Sequence, residues 1–312
     1  MDIERAVTDM AYAIRRAVRP NIGLHSAKEI IGKTESGDEA FGIDELAEEA
    51  IVEFIRKHEL PVAYYTEGRG LIQCANPKYL LIIDPIDGTR PAMVGLEGGV
   101  VSIAAAPYSL EACMGDVAFG CVLELKTNRM YTASRDGLVH IKDNSIDIPV
   151  DLRLITELSC MSWSFELAGR PVLPIIQVLS PIIDKSSLAG GVFVISGSAF
   201  SLTRMVSGQF DAVVDIGNRI LRDYPELHQD FIRAGNGSVI GLFPYDIAAA
   251  ALIAETAGCK VTDAYGDSLD GVPLLDTSEA NIRSCIAASN PVLHEKLLSE
   301  VNEHMQALAS VL

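Results

Sequence analysis

The chain has few basic residues for its length, and this shortage excludes two kinds of partner. Its 25 lysines and arginines are outnumbered by 42 aspartates and glutamates, which gives a formal net charge of −17. Nucleic-acid polymers and anionic membranes bind basic surfaces, so we expect neither as the main partner. An anionic small molecule would need local help from a bound cation or from helix N-termini.

Paired cysteines and long apolar runs are also missing. None of the six cysteines belongs to a Cys-x-x-Cys pair, and most have apolar neighbours, which is typical of buried thiols in a reducing compartment. The most apolar segment, residues 171–183, is too short and too rich in proline to span a bilayer. The N-terminus lacks the pattern of a secretion signal. We therefore expect a cytoplasmic enzyme with no membrane partner.

The hydrophobic pattern changes near residue 150. Apolar residues at three- and four-residue steps predict helices over residues 2–18 and 44–58. Six strands are predicted after them, at residues 62–65, 79–83, 99–106, 116–125, 129–133 and 138–142. Short turns between the last three predict an antiparallel meander. From about residue 151, strands alternate with helices, and a final helix begins at Pro291.

The chain is long enough for two domains, since its 312 residues are 49% hydrophobic. The change of pattern predicts an N-terminal α+β domain over residues 1–150 and a C-terminal α/β domain over residues 151–312. The polar segment 32–42 is predicted to be a long loop, of the kind that often closes over active sites.

A buried strand runs directly into two carboxylates, Asp84 and Asp87, with Pro85 between them and Gly88 after them. On a regular strand, residues three apart point to opposite faces. The carboxylates can converge only if the chain turns, and proline and glycine both favour a turn. Two close carboxylates repel each other unless a cation lies between them. The motif therefore predicts a site for Mg²⁺, Mn²⁺ or Ca²⁺ that also binds a phosphate; an ordinary acidic turn is the alternative.

Two further carboxylates follow the same logic. Glu67 ends a predicted strand and is followed by Gly68, and Asp246 begins an alanine-rich helix. If the strands that end at Glu67 and Asp84 are neighbours, these two side chains lie close together. The alternatives are a solvent-exposed strand end for Glu67 and a helix N-cap for Asp246.

Other hydrolase and nucleotide-binding motifs do not fit. Phosphatases with a nucleophilic aspartate use Asp-x-Asp, whereas Asp84 and Asp87 are three apart. The sequence around Ser198 lacks the Gly-x-Ser-x-Gly pattern of serine hydrolases. Residues 235–241 have glycines at the wrong spacing for a dinucleotide site and no strand before them.

Taken together, these motifs resemble those of the inositol monophosphatase and fructose-1,6-bisphosphatase superfamily of lithium-sensitive, Mg²⁺-dependent sugar phosphatases. The resemblance extends over nearly the whole chain and depends on five elements in order: Glu67, residues 84–89, residues 197–199, Asp246 and residues 258–263. It implies a layered αβαβα sandwich with an antiparallel N-terminal sheet and a mixed C-terminal sheet. It also implies a homodimer, two or three Mg²⁺ ions per site with Mn²⁺ as a substitute, and inhibition by Li⁺.

The resemblance also assigns roles to individual residues. It implies that metal ions are bound by the side chains of Glu67, Asp84, Asp87 and Asp246 and by the carbonyl of Ile86. It implies catalytic roles for Glu67, Thr89 and Asp44, with Asp44 paired to Thr89; a helix cap is the simpler role for Asp44. Contacts to phosphate or substrate are implied for Gly88, Thr89, Ser198 and Asp246. Water would attack the phosphorus directly, with no covalent phosphoenzyme.

The departures from the family pattern concern the substrate. Arg90 follows Thr89 where the family usually has a small or polar residue. Residues 217–241 are longer than the family's segment and carry three arginines and a histidine, which would suit a second phosphate or carboxylate; a solvated helical segment is the simpler interpretation. We expect a small phosphate monoester similar to inositol monophosphate. Fructose 1,6-bisphosphate, 3′-phosphoadenosine 5′-phosphate and a non-catalytic phosphosugar-binding role remain alternatives.

Overall fold

Two large β-sheets and one small hairpin organise the computed structural model, which describes residues 2–34 and 37–309. The first half begins with helix α1 (Ile3–Val18), the hairpin strands β1 (Ile30–Lys33) and β2 (Glu39–Phe41), and helix α2 (Gly42–His58). It continues with β3 (Val62–Thr66), β4 (Gly70–Gln73), β5 (Tyr79–Asp87), α3 (Thr89–Met93), β6 (Val100–Pro107), β7 (Phe119–Glu124), β8 (Arg129–Ser134), β9 (Val139–Asp143) and β10 (Ile146–Ile148).

The second half alternates strands and helices, as expected. It contains β11 (Ser162–Phe165), α4 (Val172–Ser186), β12 (Gly191–Phe193), α5 (Ser198–Val206), β13 (Ala212–Asp215), α6 (Gly217–Asp223), α7 (His228–Ala234), α8 (Pro244–Ala257), β14 (Lys260–Thr262), β15 (Cys285–Ala288) and α9 (Pro291–Leu308).

The eight-stranded sheet has the order β10-β9-β8-β7-β6-β5-β3-β4. All neighbours are antiparallel except β3 and β5, which are parallel, with Thr66 opposite Ile83. Glu67 and Asp84 are the residues that directly follow this last pair on the two adjacent strands. The predicted meander of β7, β8 and β9 is confirmed.

The five-stranded sheet has the order β12-β11-β13-β15-β14, with parallel pairing among the first three strands and antiparallel pairing among the rest. It is therefore the mixed sheet that was expected. Helices α5 and α8 pack against each other and against both sheets, whereas α4 and α9 pack together on the outer side. With α1 and α2 on the far side of the first sheet, the predicted αβαβα sandwich is confirmed.

Two apolar cores fill the spaces between these layers. One lies between the eight-stranded sheet and the apolar faces of α1 and α2. The larger lies between the two sheets and surrounds α8, in which Ala248, Ala249, Ala250, Ala251 and Ala254 are all buried. Small residues let α8 approach the sheet closely: a Cβ added to Gly120 of β7 would lie 2.6 Å from the carbonyl oxygen of Ala249.

Several local predictions are corrected by the structure. The segment 32–42, predicted to be a loop, contains parts of the β1–β2 hairpin and the first residue of α2; Glu35 and Ser36 within it lie outside the described residues. Strands β4 and β10 and helix α4 were not predicted. Cys121, Cys259 and Cys285 are buried as expected, but Cys74 and Cys113 are half-buried and Cys160 is exposed; all six are free thiols.

The boundary predicted near residue 150 coincides with the passage from the first large sheet to the second. The core between the sheets is built from residues of both halves, and the division into two domains stays a prediction. No helix in the described part of the chain is long and apolar enough to cross a membrane.

Candidate metal and phosphate site

A β-bulge in β5 brings Asp84 and Asp87 to the same face of the sheet. In the pairing with β6, Asp84 lies opposite Ser102 and Asp87 lies opposite Val100, so three steps on β5 match two on β6. The extra residue reverses the alternation of side chains. The sequence predicted a turn at this place. The strand instead continues through the bulge, and the turn follows at Gly88, whose φ is 80°.

Helix α8 supplies the third carboxylate. One oxygen each of Asp84, Asp87 and Asp246 lies within 4.8 Å of the others. Glu67, at the end of β3, lines the same cavity outside this compact group. The structure therefore brings the four predicted side-chain ligands to one cavity. The carboxylate oxygens of three of them are close enough together to bind one ion.

Burial and mutual repulsion make these carboxylates costly to ionise. Burial raises the pKa of Asp84 well above its usual value, and the charges of Asp87, Asp246 and Glu67 raise it further. Burial also raises the pKa of Asp87 to about 7, although hydrogen bonds from backbone amides oppose the shift. The pKa of Asp246 rises well above its usual value through burial and the charge of Glu67. A divalent cation would remove this repulsion, and hard oxygen ligands fit Mg²⁺ or Mn²⁺.

The same carboxylates also hold the starts of helices. The backbone N–H of Phe243 donates to Asp246 over 2.6 Å, which caps α8. Asp87 accepts from the N–H groups of Ser198 and Phe200 at the start of α5, over 2.9 and 3.0 Å. Asp246 is therefore not the N-cap that the sequence offered as the alternative: the N-cap of α8 is Phe243, and Asp246 accepts its N–H from the third position of the helix. The role of Asp246 as a metal ligand stays a prediction.

Asp44 likewise holds the start of a helix, from the third position of α2, and also lies beside Thr89. Its carboxylate accepts from the N–H of Phe41 over 2.8 Å at the start of α2, and Thr89 Oγ1 lies 3.3 Å from its other oxygen. The Thr89 hydroxyl is also 2.9 Å from the carbonyl oxygen of Ile86. Burial raises the pKa of Asp44 to about 6, against the effect of the hydrogen bonds from Phe41 and Thr89. The expected pairing of Asp44 with Thr89 is thus seen in the geometry.

Two other predicted phosphate contacts lie at the cavity, Gly88 and Ser198. Gly88 adopts the left-handed conformation that glycine tolerates best, and a Cβ there would collide with the carbonyl oxygen of Gly98. The N–H of Ser198 is already bonded to Asp87, so a contact from Ser198 to a phosphate would come from its hydroxyl.

Sequence reasoning missed Glu166 and Arg170, which follow β11 and line the cavity. Arg170 donates to the carboxylate of Asp215 at the end of β13 and to the carbonyl of Ala168. Burial raises the pKa of Glu166 to about 7; the Arg170 charge opposes this and the Asp215 charge adds to it. Glu166 directly follows an apolar strand, as Glu67 does, and that signal could have identified it.

Arg90 is bound to the segment that leads into β2. Its guanidinium donates two hydrogen bonds to Asp38, over 3.2 and 2.7 Å. The hairpin is also connected to residues before α8: Lys33 Nζ donates to the carbonyl of Asn236 over 2.7 Å, and the Asn236 amide donates to Glu39 over 2.8 Å.

The arginines of residues 217–241 have structural partners elsewhere. Arg219 is buried and donates to the carbonyl of Ala264 and to Asn302. Arg222 donates to the carbonyl of Ala280, 58 positions along the chain, and Arg233 pairs locally with Asp230. None of the three lines the cavity in the described structure. The segment is partly helical, as α6 and α7, and only its end at residues 240–241 reaches the site.

The cavity has a volume of about 650 Å³, counted with its open mouth. Its lining comprises Asp38, Glu67, Asp84, Ile86, Asp87, Gly88, Thr89, Arg90, Glu166, Ala168, Arg170, Ser196, Gly197, Ser198, Ile240, Gly241, Leu242, Phe243, Tyr245 and Asp246.

Comparison with known proteins places this geometry in a family. The model of the inositol monophosphatase family matches residues 2–306. The chain belongs to this family. A fructose-1,6-bisphosphatase/inositol-1-monophosphatase from Methanothermobacter thermautotrophicus is 27% identical over 296 residues, which cover 93% of this chain and 92% of the relative. A relative from Pasteurella multocida, 28% identical over 242 residues and 74% of each chain, is named Nus factor SuhB.

The fold agrees with solved structures of the same family. An inositol monophosphatase from Thermotoga maritima has a TM-score of 0.70 against this chain and is 20% identical, with 99% of this chain and 100% of that one covered. Family membership and the names of the relatives support a phosphatase of this superfamily.

Proposed function

We propose that the protein is a Mg²⁺-dependent phosphomonoesterase that hydrolyses a small phosphorylated polyol or sugar without a covalent phosphoenzyme. The observation that supports this best is the group of three carboxylates within 4.8 Å of one another, two of them buried and the third, Asp246, half-buried, beside the Asp44–Thr89 pair. Family membership supports it independently.

The proposed metal ligands are Glu67, Asp84, Asp87, Asp246 and the carbonyl of Ile86. That carbonyl oxygen lies 2.9 Å from Thr89 Oγ1, and its two lone pairs allow it to bind a cation as well. Bound Mg²⁺ would lower the pKa of a coordinated water and neutralise charge on the phosphate.

Thr89 and Asp44 are suited to orient and deprotonate the attacking water. The Thr89 hydroxyl can donate its single proton to Asp44 and accept a hydrogen bond from water with its lone pairs. The pKa of Asp44, raised to about 6, leaves it ionised at neutral pH and basic enough to accept a proton. Glu67, which directly follows the adjacent strand β3, is the second candidate base.

The start of α5 is proposed to stabilise the phosphate. Asp87 fixes the N–H groups of Ser198 and Phe200 in place, and the positive end of the helix dipole points into the cavity. The amides of Gly88 and Thr89 and the hydroxyl of Ser198 are the proposed direct contacts. Asp246 is the proposed contact for the alcohol half of the substrate.

The test is phosphate release from inositol 1-phosphate, fructose 1,6-bisphosphate, 3′-phosphoadenosine 5′-phosphate and glycerol phosphate. We expect release with Mg²⁺ or Mn²⁺, none with EDTA, and inhibition by Li⁺. Failure with every substrate, while Mg²⁺ and phosphate still bind, would favour a non-catalytic binding role. Two of the relatives are named Nus factors and not phosphatases.

The proposed homodimer can be tested by sedimentation, and the proposed cytoplasmic location by fractionation of the source cells.

A further inference from the structure

Arg90 places a guanidinium that ligands can reach among the acidic side chains of the cavity. Its side chain is 40% exposed and is paired with Asp38, which is 23% exposed. The other arginine of the lining, Arg170, is only 6% exposed and donates to Asp215 and to a carbonyl. Among the described lining residues, Arg90 is therefore the cation that an incoming anion can contact.

The partner of Arg90 can be exchanged. Two hydrogen bonds, over 3.2 and 2.7 Å, join the guanidinium to the two oxygens of Asp38. This forked geometry fits a substrate carboxylate or phosphate as well as it fits Asp38. A partly exposed ion pair contributes little to stability. A substrate anion can therefore replace Asp38 without any loss of bonds to Arg90.

We propose that Arg90 selects substrates that carry a second anionic group, a carboxylate or a phosphate, in addition to the phosphate that is hydrolysed. The inference rests on the proposed function. The acidic cluster binds the reacting phosphate through cations, and Arg90, which follows Thr89 directly, binds the second anion at the same cavity. When a substrate lacks that group, Asp38 keeps the guanidinium neutralised.

Two pairs of substrates test this, each pair differing in one anionic group. Fructose 1-phosphate is compared with fructose 1,6-bisphosphate, and glycerol 3-phosphate with 3-phosphoglycerate. We expect kcat/KM to favour the doubly anionic member of at least one pair by about tenfold or more, as a charge-assisted hydrogen bond allows. The pair that shows the preference distinguishes a phosphate from a carboxylate.

Variants of the ion pair are expected to move this preference in opposite directions. Arg90→Gln should bring the ratio of kcat/KM close to one, mainly through KM. Asp38→Asn should increase the ratio, because it removes the competing carboxylate. Arg90→Lys keeps the charge but loses the two forked hydrogen bonds and should give an intermediate ratio.

The control is Arg5→Gln, which removes the same charge from an exposed position on α1 and should leave the ratio unchanged. Melting temperatures verify that each variant is folded.

The outcomes separate this inference from the proposed function. Turnover with a ratio near one in the unchanged protein, or a ratio unaffected by Arg90→Gln, would overturn the role of Arg90 and leave the phosphatase intact. If no substrate is hydrolysed, calorimetric binding of the same four compounds in Ca²⁺ decides. A preference that depends on Arg90 would then support the inference while the phosphatase proposal fails, and no preference would overturn both.

Discussion

Asp87 shows how one carboxylate can serve the fold and the candidate site together. Its two oxygens accept from the start of α5 and also belong to the group of three carboxylates in the cavity. Asp246 does the same for α8, and Asp44 accepts from the start of α2 while it pairs with Thr89, which lines the cavity. Helices α5 and α8 therefore begin at the cavity, and the start of each of the three helices is bonded to a residue that the proposed chemistry uses.

Replacing Asp87 tests its proposed role as a metal ligand. Asp87→Asn keeps the size of the side chain but removes the charge and one acceptor. We expect Mg²⁺-dependent phosphate release to fall by about 100-fold or more, the upper range for loss of a group that supports a metal. A titration of activity against Mg²⁺ measures this. Asp9→Asn on the exposed face of α1 is the matched control, and undiminished activity of Asp87→Asn would remove the basis for the metal site.

The Thr89 hydroxyl, which lies between Asp44 and the Ile86 carbonyl, is predicted to be needed for catalysis. Thr89→Ala removes the hydroxyl, and we expect kcat to fall by about 10²- to 10³-fold, within the range for acid–base catalysis. Thr89→Ser retains the hydroxyl and should stay within about tenfold of the unchanged enzyme.

Because Thr89 and Asp44 are predicted to act as one unit, their effects should not add. The kcat of the double variant Thr89→Ala/Asp44→Asn is expected to be only a little below that of the less active single variant. Steady-state kinetics with a saturating substrate measure all four proteins. Independent, multiplicative losses would show that Asp44 serves only as the cap of α2.

The connection from β5 to α3 depends on the conformation of one glycine. Gly88 has a φ of 80°, and a Cβ there would collide with the carbonyl oxygen of Gly98. We expect Gly88→Ala to lower the free energy of unfolding by about 2 kcal/mol or more, from left-handed strain plus the collision, and to reduce activity by displacing Thr89. Urea unfolding and phosphate release measure the two effects.

A second glycine provides the control for this substitution. Gly271 has open space around the position of a Cβ, so Gly271→Ala should change neither stability nor activity appreciably. Equal effects of the two alanine substitutions would show that the strain at Gly88 is not what makes the glycine necessary.

The elements that the sequence predicted are those with a strong period or a strong local signal. The apolar steps of α1 were sufficient because the helix buries one regular face. Strands β7, β8 and β9 were predicted from short strand-like runs separated by turns, although β7 is buried throughout. The bulge between Asp84 and Asp87 could not be predicted, since it depends on the register of β5 against β6, which residues from two different segments determine. The sequence indicated that the carboxylates converge but not how.

Contacts between distant segments account for the site residues that were missed. Arg170 and Asp215 are 45 positions apart, and Arg90 and Asp38 are 52 apart. No local sequence pattern predicts either pair. The arginines of residues 217–241 suggested a second anion site, but Arg219 is buried against Ala264 and Asn302 instead. The cavity obtains its accessible arginine from α3.

The whole molecule places an acidic cavity between two sheets, and this arrangement makes its stability depend on pH. Without metal, the pKa is raised to about 6 for Asp44 and to about 7 for Asp87 and Glu166, whereas in the unfolded chain these groups titrate near pH 4. Between those values the folded state binds protons that the unfolded state has released. Stability of the metal-free protein should therefore fall as pH rises from about 4 to about 7.

Mg²⁺ is expected to reverse this loss. Because the carboxylates must be ionised to bind a cation, the rise in melting temperature on adding Mg²⁺ should be small at pH 5 and large at pH 8. Fluorescence of Trp163, the chain's single tryptophan and fully buried in the core between the sheets, can follow unfolding in EDTA and in Mg²⁺ across this range. KCl at equal ionic strength is the control for screening. Metal-free stability that stays constant or increases between pH 5 and 8 would show that folding does not raise these carboxyl pKa values. A Mg²⁺ effect of the same size at both pH values would show that the carboxylates do not form a cation site.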